Sequence, residues 1–226
     1  MSFNIAIDGP AGAGKSTIAK ELAKELGFIY VDTGAMYRAM ALYFIKNKID
    51  NKNEEEIARA CKCVDITIRY ENGEQQVFLN GENVNGSIRN EEVGNMASVT
   101  SGYSQVRTKL VELQQQLAKT ENVVMDGRDI GTVVLPNAQI KIYLTASVET
   151  RAKRRYEELR EKGQDCDLKQ IEEDIEKRDY QDIHRENSPL KQAEDAVLID
   201  SSHLSIEEVV GEIKKMIRIS AKDERR

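Results

Sequence analysis

An apolar run, Phe3-Asn4-Ile5-Ala6-Ile7-Asp8, leads straight into Gly9-Pro10-Ala11-Gly12-Ala13-Gly14-Lys15-Ser16-Thr17. The pattern G-x-x-x-x-G-K-S between a strand and a helix constrains the chain more than any other stretch. Its glycines let the backbone curl so that successive N–H groups point inward and cradle phosphate oxygens. The helix that follows adds the partial positive charge of its N-terminus. Lys15 is expected to reach the β- and γ-phosphates from an open pocket, and the Ser16 hydroxyl to lie where Mg²⁺ binds. The stretch 9–17 therefore predicts a nucleoside triphosphate site.

At 226 residues the chain is long enough to bury a real core. A charged fraction of 32% and a net charge of −6 exclude a basic nucleic-acid footprint and indicate a soluble, mildly acidic protein. The strand at Phe3 leaves no room for a signal peptide, and no apolar run is long enough to span a membrane, so a cytoplasmic location is expected. Cys61, Cys63 and Cys166 lack the paired spacing of a zinc site and read as packed or exposed thiols.

Along the chain, apolar spacing predicts a helix over 15–26 ended by Gly27, then a short buried strand over 28–31. The stretch 34–46 is apolar almost all round and predicts a buried helix after a loop at Asp32-Thr33-Gly34. Arg38 inside it must be paired or reserved for an anionic ligand. Asn47-Lys48-Ile49-Asp50 matches the guanine motif of GTPases, but no strand ends there to present it, and it reads as a helix connection. Between 64 and 86, alternating runs separated by Asn72-Gly73 and Asn80-Gly81 predict a three-stranded antiparallel meander inserted into a βα chain.

Helical pattern resumes near Asn90, and 103–119 forms an amphipathic helix with Arg107 beside its apolar stripe. The run Asn122 to Asp126 ends in Asp, as a Walker B strand does, and continues into Gly127-Arg128-Asp129-Ile130-Gly131. Strands are expected over 139–145 and 196–200. On the charged helix 147–162, Arg151, Arg154 and Arg155 share one face. On a helix from Asp167 to about Asn187, Arg178, Asp182 and Arg185 form one stripe, with an intrahelical ion-pair ladder as the alternative to a ligand site. A terminal helix over 205–219 starts at a Ser205/Glu208 capping box, and the tail 222–226 is expected to fray. Alternating strands and helices mean a parallel sheet, with ligands outside the carboxyl ends of its strands.

Ile7-Asp8-Gly9-Pro10, Asp32-Thr33-Gly34-Ala35-Met36-Tyr37-Arg38 and Asp126-Gly127-Arg128-Asp129-Ile130-Gly131-Thr132-Val133, in that order, resemble the bacterial cytidylate kinases over nearly the whole chain, insert included. The resemblance implies an α/β P-loop nucleoside monophosphate kinase fold: a five-stranded parallel sheet flanked by helices, a small antiparallel insert and a short lid. It implies a single kinase domain, with a core of 1–32, 120–146 and 189–226, a nucleotide-binding region 33–119 carrying the insert 64–86, and a lid region 147–188. The implied reaction passes the γ-phosphoryl group of ATP to CMP or dCMP with Mg²⁺, in a monomer that needs neither nucleic acid nor membrane. Gly9 to Thr17 would bind the ATP phosphates. Lys15, Arg128, Arg151, Arg154 and Arg155 would be catalytic, and Ser16 would face the metal. Tyr37, Arg38, Arg128 and Arg185 would hold the acceptor phosphate. Ser98, Arg107 and Asp129 would read the base with Thr33 close by, and Arg178 and Asp182 would hold the sugar. The alternatives are a P-loop kinase of UMP or of a non-nucleotide acceptor, and a GTPase-like switch.

Overall fold

The strands that alternate with helices do form one parallel sheet. The computed structural model describes residues 2–71 and 73–223, with side chains to residue 219. Five strands, β1 (Asn4–Asp8), β2 (Ile29–Asp32), β6 (Val123–Gly127), β7 (Ile140–Thr145) and β8 (Val197–Asp200), lie in the order β2-β6-β1-β7-β8. All their pairings are parallel, so β1 and β6, central and covered on both faces, are nearly continuous apolar runs.

Alternate residues of these strands serve different cores. Ile5 and Ile7 of β1 and Val124 of β6 pack with Ile18 and Leu22 of α1 (Lys15–Leu26) and Val210 and Ile213 of α8 (Ile206–Asp223). Ala6, Val123 and Met125 face the other way, against Ala118 of α5 (Ser104–Thr120) and a single π turn, Ile130–Val134. Helix α8 opens on the expected capping box. Ser205 Oγ accepts from Glu208 N at 3.2 Å, and Glu208 Oε2 accepts from Ser205 N at 2.8 Å. Fraying of the tail beyond Asp223 lies outside the described residues.

Strand β2 runs into α2 (Thr33–Lys46) without the expected loop, because Asp32, the last strand residue, is also the helix N-cap and accepts from Ala35 N at 2.9 Å. Met36, Met40 and Phe44 of α2 are buried in a further core, shared with α3 (Glu54–Cys63), α4 (Glu91–Thr100), α5 and the insert. The insert is the expected meander of β3 (Ile66–Glu71), β4 (Glu74–Leu79) and β5 (Glu82–Asn83), in a sheet of its own. Its second turn has left-handed backbone at Asn80 (φ 50°) and Gly81 (φ 84°), the geometry two-residue hairpins favour. Asn72 of the first turn lies outside the described residues.

Sequence periodicity passed over α3, whose Glu-rich start hides the spacing of Ile57, Ala60 and Cys61. It also ran α7 (Leu168–His184) too long. The helix stops before Arg185, whose extended backbone (ψ 141°) caps its end. Asn47 to Asp50 connects α2 to α3 with no strand behind it. Cys61 is buried and Cys63 exposed, and neither is in a disulfide. No helix among the described residues is long and apolar enough to cross a membrane.

At the centre of the sheet β1 passes so close to β7 that a Cβ on Gly9 would lie 1.9 Å from the Leu144 carbonyl oxygen, and Gly9 has φ +147°. Gly9→Ala should therefore cost more than ~3 kcal/mol in urea unfolding, since a backbone atom blocks the added methyl. A variant within about 0.5 kcal/mol of the parent would show that β1 and β7 are not locked at this spacing.

Candidate active site

The carboxyl ends of β1, β2 and β6 bring three aspartates to one end of the sheet, Asp32 and Asp126 on one face and Asp8 on the other. Asp8 and Asp32 close β1 and β2, Asp126 is the last residue but one of β6, and all three are buried. After β1, the loop from Gly9 enters α1 at Gly14, whose left-handed backbone (φ 90°) forms the helix N-cap. Lys15 is not open to solvent as the sequence implied. It is 5% exposed and its Nζ donates to Pro10 O at 2.7 Å, closing the loop on itself. Burial, and after it Arg128, hold its ammonium well below the ordinary lysine pKa. Ser16 Oγ donates to Asp126 Oδ2 at 2.9 Å, and Tyr30 OH donates to Asp126 Oδ1 at 2.9 Å. Burial and the neighbouring Asp32 push the Asp126 carboxyl upward. A cation beside this serine–carboxylate pair would oppose both effects.

Asp8 performs a task no motif announces. Its two oxygens accept from Ile130 N and Gly131 N, each at 2.7 Å, and so hold the π turn that follows Arg128-Asp129. The side chain is buried in doing so, and burial raises its carboxyl to about 6. Gly127 lies under this turn so closely that a Cβ would come within 2.7 Å of Ile130 Cδ1 and 2.9 Å of Thr33 Oγ1. The Thr33 hydroxyl itself donates to Asp126 O at 2.7 Å.

Arg107 and Asp129 meet as a buried ion pair. Arg107 Nε also donates to Ser188 Oγ at 3.1 Å and Nη1 to Ser101 O at 3.4 Å, with the guanidinium 5.8 Å from the centre of the Tyr37 ring. Burial pushes the Asp129 carboxyl up, while Arg107, Arg185 and Arg128 pull it down. Ser188, in left-handed backbone (φ 51°), was not singled out in the sequence, because nothing in local spacing ties residue 188 to residue 107. Ser98 is half-buried on α4 with its carbonyl accepting from Ser101 Oγ at 2.9 Å. Of these two serines, it is Ser101 whose carbonyl meets Arg107.

The stripe from α7 is no exposed ladder. Arg128 Nε donates to Asp182 Oδ2 at 2.7 Å, a contact between β6's end and α7, whereas Arg185 approaches Asp182 only to 3.8 Å. Arg185 Nε is held by Ser188 O at 2.7 Å. Three donors in this region are buried without a hydrogen-bonding partner among the described residues: Arg178 Nε, Arg185 Nη2 and Tyr37 OH. Burial first, then Arg128, lower Arg178 to about 10. Arg38 is likewise lowered by burial, with Asp32 opposing and Arg89 and Arg128 adding to the effect. Buried cations that depress one another, with donors left without hydrogen bonds, have the chemistry that suits an anion.

Arg151, Arg154 and Arg155 separate into three environments. Arg151 is buried and seated on the phosphate loop, with Nη1 donating to Ala11 O at 3.0 Å and Nη2 paired with Asp179 at 2.7 Å. Arg154 Nη2 donates to Ser201 O at 2.7 Å, beside the same loop, since Ser201 Oγ lies 3.2 Å from Ala13 O. Arg155 points elsewhere: it is exposed and paired with Glu158 at 2.8 Å. One helical face thus sets Arg151 on the loop, Arg154 beside it and Arg155 at the surface.

If Asp182 serves mainly to neutralise Arg128 in the cleft, Asp182→Ala leaves a largely buried guanidinium uncompensated and should cost about 3 kcal/mol in urea unfolding. An exposed ladder on α7 would change stability by less than about 0.5 kcal/mol, and that result would detach Asp182 from the cleft.

Known proteins bear the same pattern. The family profile described as cytidylate kinase matches residues 5–219. A cytidylate kinase of Caldicellulosiruptor bescii is 53% identical over 222 residues, covering 98% of this chain and 98% of its own. One from Lactobacillus johnsonii is 50% identical over 221 residues, covering 98% and 96%. Among solved structures, an uncharacterized protein from Eubacterium ventriosum shares the fold with a TM-score of 0.53 at 14% identity, covering 96% of this chain and 99% of its own. Half the residues kept in common from end to end, on a sheet whose strand ends carry the phosphate loop and the arginine cluster, place the chain in the cytidylate kinase family.

Proposed function

We propose that the chain transfers the γ-phosphoryl group of ATP to the 5′-phosphate of CMP or dCMP, yielding ADP with CDP or dCDP. The observation that carries this reading is the pair of buried donors without a hydrogen bond among the described residues, Arg185 Nη2 and Tyr37 OH, in a cleft that also holds the buried guanidiniums of Arg38 and Arg128. A monophosphate dianion satisfies such a cluster; a neutral acceptor does not. Tyr37, Arg38, Arg128 and Arg185 hold that phosphate, and Arg178 and Asp182 the sugar. Ser98, Thr33, Arg107 and Asp129 surround the base.

Phosphoryl transfer asks little covalent chemistry of a protein, so positioning and charge compensation dominate. The loop Gly9 to Thr17 holds the donor phosphates with its N–H groups. Lys15 leaves Pro10 O and moves onto the transferred group, where Arg151, seated on the loop, and Arg154, beside it, add charge. Arg155 reaches the group only by leaving Glu158. Ser16, with Asp126 behind it, offers hard oxygen ligands of the kind Mg²⁺ takes, mostly through water and phosphates. When bound, that ion draws charge from the phosphates. The chain acts as a cytoplasmic monomer on small molecules alone, which suits its acidic composition.

Release of ADP should require CMP or dCMP and be weak with UMP, with AMP and with no acceptor; equal turnover without an acceptor would refute the kinase reading. Base choice rests on Asp129. An ionised carboxylate only accepts, so it pairs with the amino group of cytosine and repels the carbonyl of uracil, which should separate the two by roughly 2–4 kcal/mol. Asp129→Asn should raise the UMP/CMP ratio of kcat/KM, mainly by lowering the CMP value. An unchanged ratio would leave Asp129 as a partner of Arg107 and remove it from base recognition.

A further inference from the structure

Strand β2 is an edge of the central sheet, since its one ladder partner is β6. In a parallel ladder the residues that do not bond to the neighbour aim both backbone groups outward, and an edge leaves those to water. At Asp32 both outward groups are taken by one side chain. Gln75 Oε1 accepts from Asp32 N at 2.8 Å, and Gln75 Nε2 donates to Asp32 O at 3.1 Å. Two residues back, Tyr70 OH donates to Tyr30 O at 3.1 Å. Both residues belong to the insert, where Tyr70 and Gln75 are cross-strand partners in the β3–β4 pairing. The side chains thus supply what a sixth strand would.

This clamp grips the residue from which α2 starts. Asp32 Oδ1 caps α2 at Ala35 N, and Asp32 Oδ2 lies 3.3 Å from Arg89, which follows the insert. Thr33 comes next in the chain, and Tyr37 and Arg38 lie on the first turns of the same helix. Gln75 is itself held, because Asn85 Nδ2 donates to Gln75 O at 2.9 Å while Asn85 Oδ1 accepts from Val77 N at 2.8 Å. A methyl or methylene cannot replace the amide, which must donate and accept at once to the two groups of one peptide-bonded residue.

We propose that Gln75 is a positioning residue for the acceptor nucleotide: by pairing with both backbone groups of Asp32, it lets the antiparallel insert fix the start of α2 and so aim Thr33, Tyr37 and Arg38. This rests on the reading of those residues as the CMP side of the site. The donor side is built mainly from α1, β1 and the helix that carries Arg151, to which neither Gln75 nor Tyr70 donates a hydrogen bond; the clamp holds only backbone groups of β2.

The test is steady-state kinetics of the full chain, varying CMP and ATP separately, for the parent, Gln75→Met and Gln75→Glu. Methionine keeps the length and removes both hydrogen bonds. Glutamate keeps an acceptor for Asp32 N and sets an oxygen against Asp32 O. In both variants KM for CMP should rise by about tenfold, the equivalent of one to two neutral hydrogen bonds, with KM for ATP within about twofold of the parent. A KM for ATP that rises in step would mean a general loosening and overturn the proposal, as would an unchanged KM for CMP. If Gln75→Met does not fold, Gln75→Glu or Tyr70→Phe decides on the same split. Turnover of CMP by the parent stands apart as the test of the kinase reading, so a parent inactive on CMP is distinguishable from a variant with unchanged constants.

Discussion

Guanidinium groups crowd together at the carboxyl ends of the strands, and the rest of the site is arranged to make that tolerable. Arg38, Arg107, Arg128, Arg178 and Arg185 come from α2, α5, the end of β6 and the α7 region. Each buried cation repels the next, which is why the neighbouring arginines lower Arg38, Arg178 and Arg185 on top of burial. Asp129 and Asp182 offset part of this, one against Arg107 and one against Arg128. Arg178 Nε and Arg185 Nη2 stay without a hydrogen bond among the described residues, the latter 3.8 Å from Asp129 Oδ1. On the function proposed here, an incoming monophosphate completes the charge balance at Tyr37, Arg38, Arg128 and Arg185, and its binding energy is coupled to the position of the arginines.

The scaffold explains how such a cluster keeps its geometry. Asp8 holds the turn after Arg128-Asp129 by its backbone, and Gly127 lets Thr33 and Ile130 close over the strand end. Gln75 holds the start of α2 in the same manner, by a side chain that pairs with main-chain groups. Main-chain contacts of this kind fix position while leaving the reactive side chains free to engage ligands. The donor loop is held differently: Lys15 bonds to Pro10 and Arg151 to Ala11, contacts that exchange readily for phosphate oxygens of the same hydrogen-bonding character.

Much of this was legible in the sequence where local chemistry decides it. The phosphate loop, the five strands and the hairpin turn at Asn80-Gly81 follow from periodicity and turn residues. The resemblance to cytidylate kinases supplied the roles of Arg107, Asp129 and the α7 residues, and family membership is now shown by relatives at about half identity. What stayed hidden depends on distances across the fold. Asp8 to Gly131, Gln75 to Asp32 and Arg107 to Ser188 are long-range pairs with no repeat spacing to reveal them. The division of Arg151, Arg154 and Arg155 was invisible because spacing places residues on a face but says nothing of what each meets across the fold. Arg185 fell outside α7 because Pro189 marks where a helix must have ended, not where it does.

The central claim, that a phosphate dianion completes the arginine cluster, is tested most directly by thermal unfolding with CMP and with cytidine over the same concentrations. A ligand bound to the folded state alone stabilises by about 2.7 kcal/mol at a hundred times its Kd, so Tm should climb steeply with CMP. Cytidine, which offers the same base and sugar without the charge, should shift Tm little at concentrations where CMP is near saturation. Equal shifts from the two would contradict the account, because the base and sugar contacts would then supply the affinity assigned here to the arginines.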